Sequence, residues 1–161
     1  MKRLLIYAII LALVWALPTE RADVAKLRPV EVIAIYKTGD VVILTTDTDD
    51  RGIGASAMEA LENMRSTSPA IIYLDTAEYL LVEDKAKKEI EQLRKELKSS
   101  VRLCNVTGTV DLKAAANYLP VHGQLPELRN WNTDEMLPVL YTENERLKIS
   151  ENSEKTLDKG R

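Results

Sequence analysis

The residues best placed to do chemistry form one acidic loop, Asp47-Thr48-Asp49-Asp50-Arg51-Gly52-Ile53-Gly54. Oxygen donors at alternating positions followed by glycine suit a hard cation, and Asp47, Asp49 and Gly52 fall at positions one, three and six of a calcium loop. Position five is then Arg51 and position twelve is Met58, where an oxygen donor and a bidentate glutamate are required. Asp47, Asp49 and Asp50 are therefore weak cation candidates, a solvated loop is the default, and no metal or cofactor is expected. Gly52-Ile53-Gly54 ahead of a helix start also suggests phosphate cradling, because helix amides attract anions. The third glycine is missing, Ser56 occupies the cap, and three aspartates repel a phosphate.

The other reactive side chains are isolated. His122 is the only histidine and lies in a turn between Pro120 and Gly123, with no nucleophile-elbow sequence anywhere to use it. Cys104 is the only cysteine, which rules out an internal disulfide, and it sits in an apolar run as a small hydrophobe. One His and one Cys cannot supply a transition-metal site. A hydrolase would have to work through carboxylates alone, and no spacing pairs Asp49, Asp50 and Glu78 for that role. Asn105-Val106-Thr107 spells a glycosylation sequon inside a strand. No catalytic residues emerge, and the chain is expected not to be an enzyme.

The elements that position the loop are readable. Val30–Tyr36 and Val41–Thr46 are β-branched runs joined by Lys37-Thr38-Gly39-Asp40, a hairpin with glycine in its turn. Ser56 and Glu59 form a capping box ahead of Ala57, Ala60, Leu61 and Met64, one apolar stripe on a helix that Pro69 ends. The glycines before it permit a tight approach of backbone to helix. Ala70–Leu74 reads as a strand buried on both faces, with Asp75 and Glu78 capping a turn at its exit. Lys85–Ser99 reads as a helix whose face Ala86, Ile90, Leu93, Leu97 packs on the sheet rather than in a coiled coil, with Asp84/Lys88 and Glu91/Lys95 pairs outside. Val101–Val106 is the next strand, and Asp111 caps a short helix over Leu112–Leu119 that Pro120 stops. The fold expected is α/β: a small mixed sheet of about four strands with helices packed on it, in the order β-β-α-β-α-β-α.

Around that domain, residues 29–128, lie three appendages. Lys2 and Arg3 precede Leu4–Leu17, fourteen residues without a charge. That is short for a membrane span and suits a signal peptide, cleaved or retained as an N-terminal anchor, so residues 1–17 predict an extracytoplasmic protein, secreted or tethered. Residues 18–28 are a charged linker. Past the leader the chain carries 20 basic and 25 acidic side chains, net −5, which argues against nucleic acid as partner. Residues 129–161 are mostly polar and read as a flexible tail. Within that tail Trp131, Met136, Leu137, Val139, Leu140 and Tyr141 either strap back onto the domain or form a segment that binds a partner.

Gly54-Ala-Ser-x-Met-Glu-Ala-Leu, then Ser68-Pro69, an apolar strand, and Leu80-Leu81-Val82-Glu83 resemble the N-terminal domain of Ger(x)C proteins, the C subunits of bacterial spore germination receptors. Val101-Arg-Leu-Cys-Asn-Val-Thr-Gly before a short helix is similar to that family's next strand, and the resemblance spans residues 30–120. It implies a non-enzymatic envelope protein that binds envelope or membrane proteins, with membrane contact only through residues 1–17. Two departures stand beside it: the leader lacks a lipid-attachment cysteine, and the chain has no room for the family's two further domains. The alternative from the residues themselves is an extracytoplasmic small-ligand or cation-binding domain using the Asp47–Gly54 loop.

Overall fold

The computed structural model describes residues 26–133 and 135–150; the leader and residues 151–161 lie outside these, as does most of the linker. Among the described residues no helix is long and apolar enough to cross a membrane.

The strands of the described residues begin with a short β1 (Leu27–Pro29) and then a meander, β2 (Val32–Thr38), β3 (Val41–Thr46) and β4 (Arg51–Gly54). Gly39 turns the first hairpin at φ 59°, the first loop position, where a two-residue turn matched to strand twist asks for glycine. Helix α1 (Ala57–Thr67) starts where the capping box places it. The Ser56 hydroxyl accepts from the Glu59 amide at 3.2 Å, and Glu59 reaches back to the Ala55 amide at 2.8 Å. Ala57, Ala60, Leu61 and Met64 are its buried stripe.

Two differences from expectation follow. The run 70–74 supplies only β5 (Ile71–Tyr73), which pairs in parallel with β1 in a separate two-stranded ribbon and is exposed on alternate residues. The buried central strand is instead β6 (Tyr79–Glu83), in the stretch expected to be a capped turn. Both runs are short and apolar, and periodicity alone does not rank them. Likewise, Lys85–Ser99 is not one α-helix. A 3-10 turn over Asp84–Glu89 leads into a four-residue α2 (Ile90–Leu93). The anticipated face still packs inward, with Ala86, Ile90, Leu93 and Leu97 buried. The ion pairs shift from the anticipated four-residue spacing to a three-residue one: Asp84–Lys87 within the 3-10 turn, where that spacing eclipses, and Glu91–Arg94 at the short α2. Buried Glu89 locks this stretch in place, accepting from Lys37 Nζ at 2.7 Å, the Ala57 amide at 3.2 Å and Gln92 Nε2 at 3.0 Å.

Strand β7 (Arg102–Val106) leads into α3 (Leu112–His122), capped by Asp111, whose carboxylate accepts from the Lys113 and Ala114 amides. Pro120 sits in the last turn without stopping it: the Gly123 amide closes the helix onto the Leu119 carbonyl. Beyond it the expected flexible tail is partly built into the domain. β8 (Val139–Glu143) and β9 (Arg146–Ser150) form a hairpin turned by Asn144 and Glu145, both at positive φ as the favoured two-residue turn requires.

The sheet therefore has seven strands, not about four, in the order β4-β3-β2-β6-β7-β8-β9, with β2, β6, β7 and β8 parallel. One face carries α1 and the 84–97 stretch over Ile33, Ile35, Leu80, Val82 and Leu103. The other carries α3 over Val32, Ala34, Leu81, Cys104 and Val106. The outer edge of β7 is divided: the Leu103 amide donates to the Pro126 carbonyl, and the Asn105 and Thr107 amides donate to Pro138 and Leu140 of the later segment. Arg94 fastens that segment from the side, donating to the carbonyls of Leu128 and Trp131 at 3.1 Å each.

Candidate functional site

The acidic loop does not gather its carboxylates. Asp47 turns inward and accepts from the Glu31 and Val32 amides, tying the loop to the start of β2. Asp49, at φ 66°, is exposed and pairs with Lys113 on α3; the hydrogen bond and charge of Asp49 raise the lysine above its ordinary value. Asp50 is 8% exposed and accepts from Arg28 at 3.1 Å and from the Thr48 and Ser68 hydroxyls at 2.8 Å each. Three neighbouring aspartates thus serve three different structural partners. Among the described residues no group of three or more His, Cys, Asp or Glu side chains is arranged to hold a metal.

Burial alone would push the Asp50 carboxyl up, but hydrogen bonds from Ser68, Thr48 and Arg28 and the Arg28 charge outweigh it and hold it below its ordinary value. A carboxylate lowered in the folded state stabilises the protein above the unfolded value, and that contribution is lost as pH falls through the lower folded value. Asp50→Asn is therefore expected to cost about 1–2 kcal/mol at pH 7 from the loss of charge-assisted bonds. The gap to wild type in thermal melts should close below the ordinary aspartate value of 3.8. A gap that stays constant down to acid pH would rule this out.

The two loop glycines are there for packing. A Cβ on Gly52 would lie 1.9 Å from the Ala60 carbonyl oxygen, and one on Gly54 would lie 2.5 Å from the Ala60 amide nitrogen. Arg51–Gly54, expected as loop, is instead an edge strand pressed directly onto α1. The helix N-terminus is closed by Ser56, Glu59 and Glu89, which leaves the anticipated phosphate cradle no open amides at Ala55, Ala57 or Glu59.

What the loop does border is a cleft of about 580 Å³. It lies between the β3 face and the start of α3, lined by Tyr36, Ile43, Thr45, Thr109, Val110 and Leu112, with Asp49, Arg51 and Asp111 also on its walls. The Tyr36 phenol is pushed above its ordinary value by burial, partly offset by a hydrogen bond from the Val110 backbone. The cleft continues onto bare sheet. Register pairs Ile43 with Ile53 and Thr45 with Arg51, so Val41, Ile43 and Ile53 share the face that carries α3 farther along the sheet. The cluster beneath that helix draws on β2, β6, β7, β8 and β9 and includes no β4 residue, and Val41 is 42% and Ile53 47% exposed. The edge itself is blunted, because Asn63 Oδ1 accepts the outward Ile53 amide at 3.1 Å. The patch, not the strand edge, is open.

The remaining expected residues fall elsewhere. Trp131, Leu137, Val139 and Leu140 are at most 3% exposed and belong to the core, so they bind this domain rather than a partner. Tyr141 is half-buried in β8, and Met136 is 62% exposed. His122 is exposed and stacks on Tyr118 at 4.4 Å between centroids. Glu78 is exposed beside β6. Cys104 is buried, its thiol donates to the Pro138 carbonyl at 3.1 Å, and burial pushes it up to about 12, an inert thiol. Asn105 is buried in β7, its side-chain oxygen taken by the Val106 amide.

The residues that sequence reasoning missed, Tyr36, Val41, Ile43 and Ile53, did leave a signal. β3 is apolar on both alternating sets, Val41/Ile43 and Val42/Leu44, the pattern of a strand covered on both faces. Only the second set is fully covered. Comparison with protein-family models, curated proteins and solved structures finds no match.

Proposed function

We propose that this chain is a non-enzymatic binding domain of the cell envelope, exported or tethered through residues 1–17, that docks another envelope or membrane protein on the uncovered β3–β4 face. The observation that carries it is the patch of Val41, Ile43 and Ile53 opening into the 580 Å³ cleft, with Asp49, Arg51 and Asp111 at hand as polar flanks. An apolar centre with a polar rim is the anatomy of a protein interface. Among the described residues the other large exposed apolar ones are Val121, Met136, and Ile71 with Tyr73 on the ribbon. Single ones carry no meaning. The resemblance of residues 30–120 to germination-receptor C subunits supports the same location and a role as an accessory in a membrane assembly.

Ile53→Lys tests it. The side chain is half-exposed, so stability should change by less than about 0.5 kcal/mol. A residue at the centre of an interface is worth roughly 2 kcal/mol or more, about a thirty-fold loss of affinity. Quantitative co-purification from native membranes should lose the partner that wild type retains. Equal recovery by both proteins would end this reading.

A second reading is favoured by one observation, that acidic Asp49 and Asp111 both line the same cleft. It takes the domain as an extracytoplasmic receptor for a small ligand with an apolar body and a cationic group, seated against Ile43 and Leu112 with its charge toward Asp49 and Asp111. An unchanged melting temperature across a panel of alkylammonium compounds would dismiss it.

A further inference from the structure

The β1–β5 ribbon has a second unpartnered face, and its place in the chain says what covers it. Register sets Leu27 beside Ile71, Arg28 beside Ile72 and Pro29 beside Tyr73. The middle pair faces inward: Ile72 is 7% exposed, and Arg28 reaches Asp50. The outer pairs therefore present Leu27, Pro29, Ile71 and Tyr73 together, with Ile71 and Tyr73 exposed at 49% and 40%. β1 is the first strand of the described residues. Nine residues lie between Leu17 and Leu27, and the ten steps from one to the other span at most about 35 Å however the chain runs. If residues 1–17 stay in a bilayer, the ribbon is held within that distance of it.

We propose that the outer face of the β1–β5 ribbon rests on the surface of the lipid bilayer that holds the leader, with Tyr73 at the headgroup level and Ile71 and Leu27 beneath it. This rests on the tethered form of the function proposed above and adds a membrane contact beyond residues 1–17. Tyrosine suits that depth because its ring is apolar and its hydroxyl polar. Exposed Lys26 and exposed Asp75 flank the ribbon with opposite charges, so the contact is apolar rather than electrostatic. Four side chains are too few to hold a free domain on lipid, since even one fatty-acyl chain binds only marginally. A tether changes this by making the second contact intramolecular, at an effective concentration in the millimolar range. The ribbon is thus a contact that works only on a tethered chain.

The test uses the full chain reconstituted in phosphatidylcholine vesicles, with a nitroxide on Ile71→Cys and, as control, on Val121→Cys, an exposed α3 position; native Cys104 is buried. Flotation is measured first. The chain should float with the vesicles, and the label at 71 should be roughly three-fold less accessible to a water-soluble nickel quencher than the label at 121, and more accessible to oxygen. A chain that does not float overturns the tethered reading and this proposal with it. A chain that floats with both labels equally wet overturns the ribbon contact alone. Dipolar broadening between labels at 71 would mean that a second copy covers the face, and would overturn it as well.

Discussion

Gly52→Ala is expected to lower the melting temperature by roughly 10 °C or more, the cost of about 3 kcal/mol or above that follows when an overpacked contact cannot relax. The clash is with backbone: the new methyl would sit 1.9 Å from the Ala60 carbonyl oxygen and 2.8 Å from the Met64 amide nitrogen. No side chain can swing away from it. Helix α1 must lift from β4, and Ala57, Ala60, Leu61 and Met64 lift with it. Gly39→Ala separates this steric effect from a conformational one. A Cβ there meets nothing within 4 Å, but the backbone sits at φ 59°, so its cost should be about 1 kcal/mol. Thermal melts of both variants check the pair, and equal, small losses would show that α1 does not lie on Gly52.

Trp131→Ala should cost about 3–5 kcal/mol, the range for removing a large aromatic from a core. Trp131 is 3% exposed and packs in the same cluster as Leu128, Leu137 and Leu103, and its carbonyl is one of the two that Arg94 holds. Were residues 129–150 a solvated tail, the same change would fall within about 0.5 kcal/mol. Urea unfolding at pH 7 decides between these values. The variant should unfold at markedly lower urea in a single transition.

These two positions mark what could and could not be seen in the residues. Gly52 and Gly54 before a capping box announced a close backbone approach, because Ser56, Glu59 and the apolar stripe fix where the helix begins and which side it buries. The β2–β3 hairpin and the Asp111 cap were legible for the same reason: local chemistry decides them. Strand β6 was not. Ile71–Leu74 and Tyr79–Val82 are two apolar runs close together, and only tertiary pairing with β2 and β7 selects the second for the sheet. Trp131 and the β8–β9 hairpin were hidden by composition. Arg146, Lys148 and Glu143 face solvent while Leu147 and Ile149 pack inward, an alternation too short to stand out in a polar stretch. The cleft was half visible: Asp49 and Asp50 drew notice as cation ligands, yet their carboxylates hold Lys113 and Arg28, and the open surface is the apolar side of β3 and β4 beside them.

The divided edge of β7 has a consequence in time. Every strand on one side of β7 precedes it in the chain, whereas its outer partners, Pro126, Pro138 and Leu140, come 20 to 34 residues after Val106. At ordinary synthesis rates of about 5–20 residues per second, that edge stays unpaired for some 2–7 s after β7 is made, next to an apolar stretch containing Leu103, Cys104 and Val106. Open strand edges recruit other chains. The nascent protein is thus most exposed to misassembly late, when most of the sheet already exists, and the hairpin that looked dispensable by composition is the element that ends the hazard.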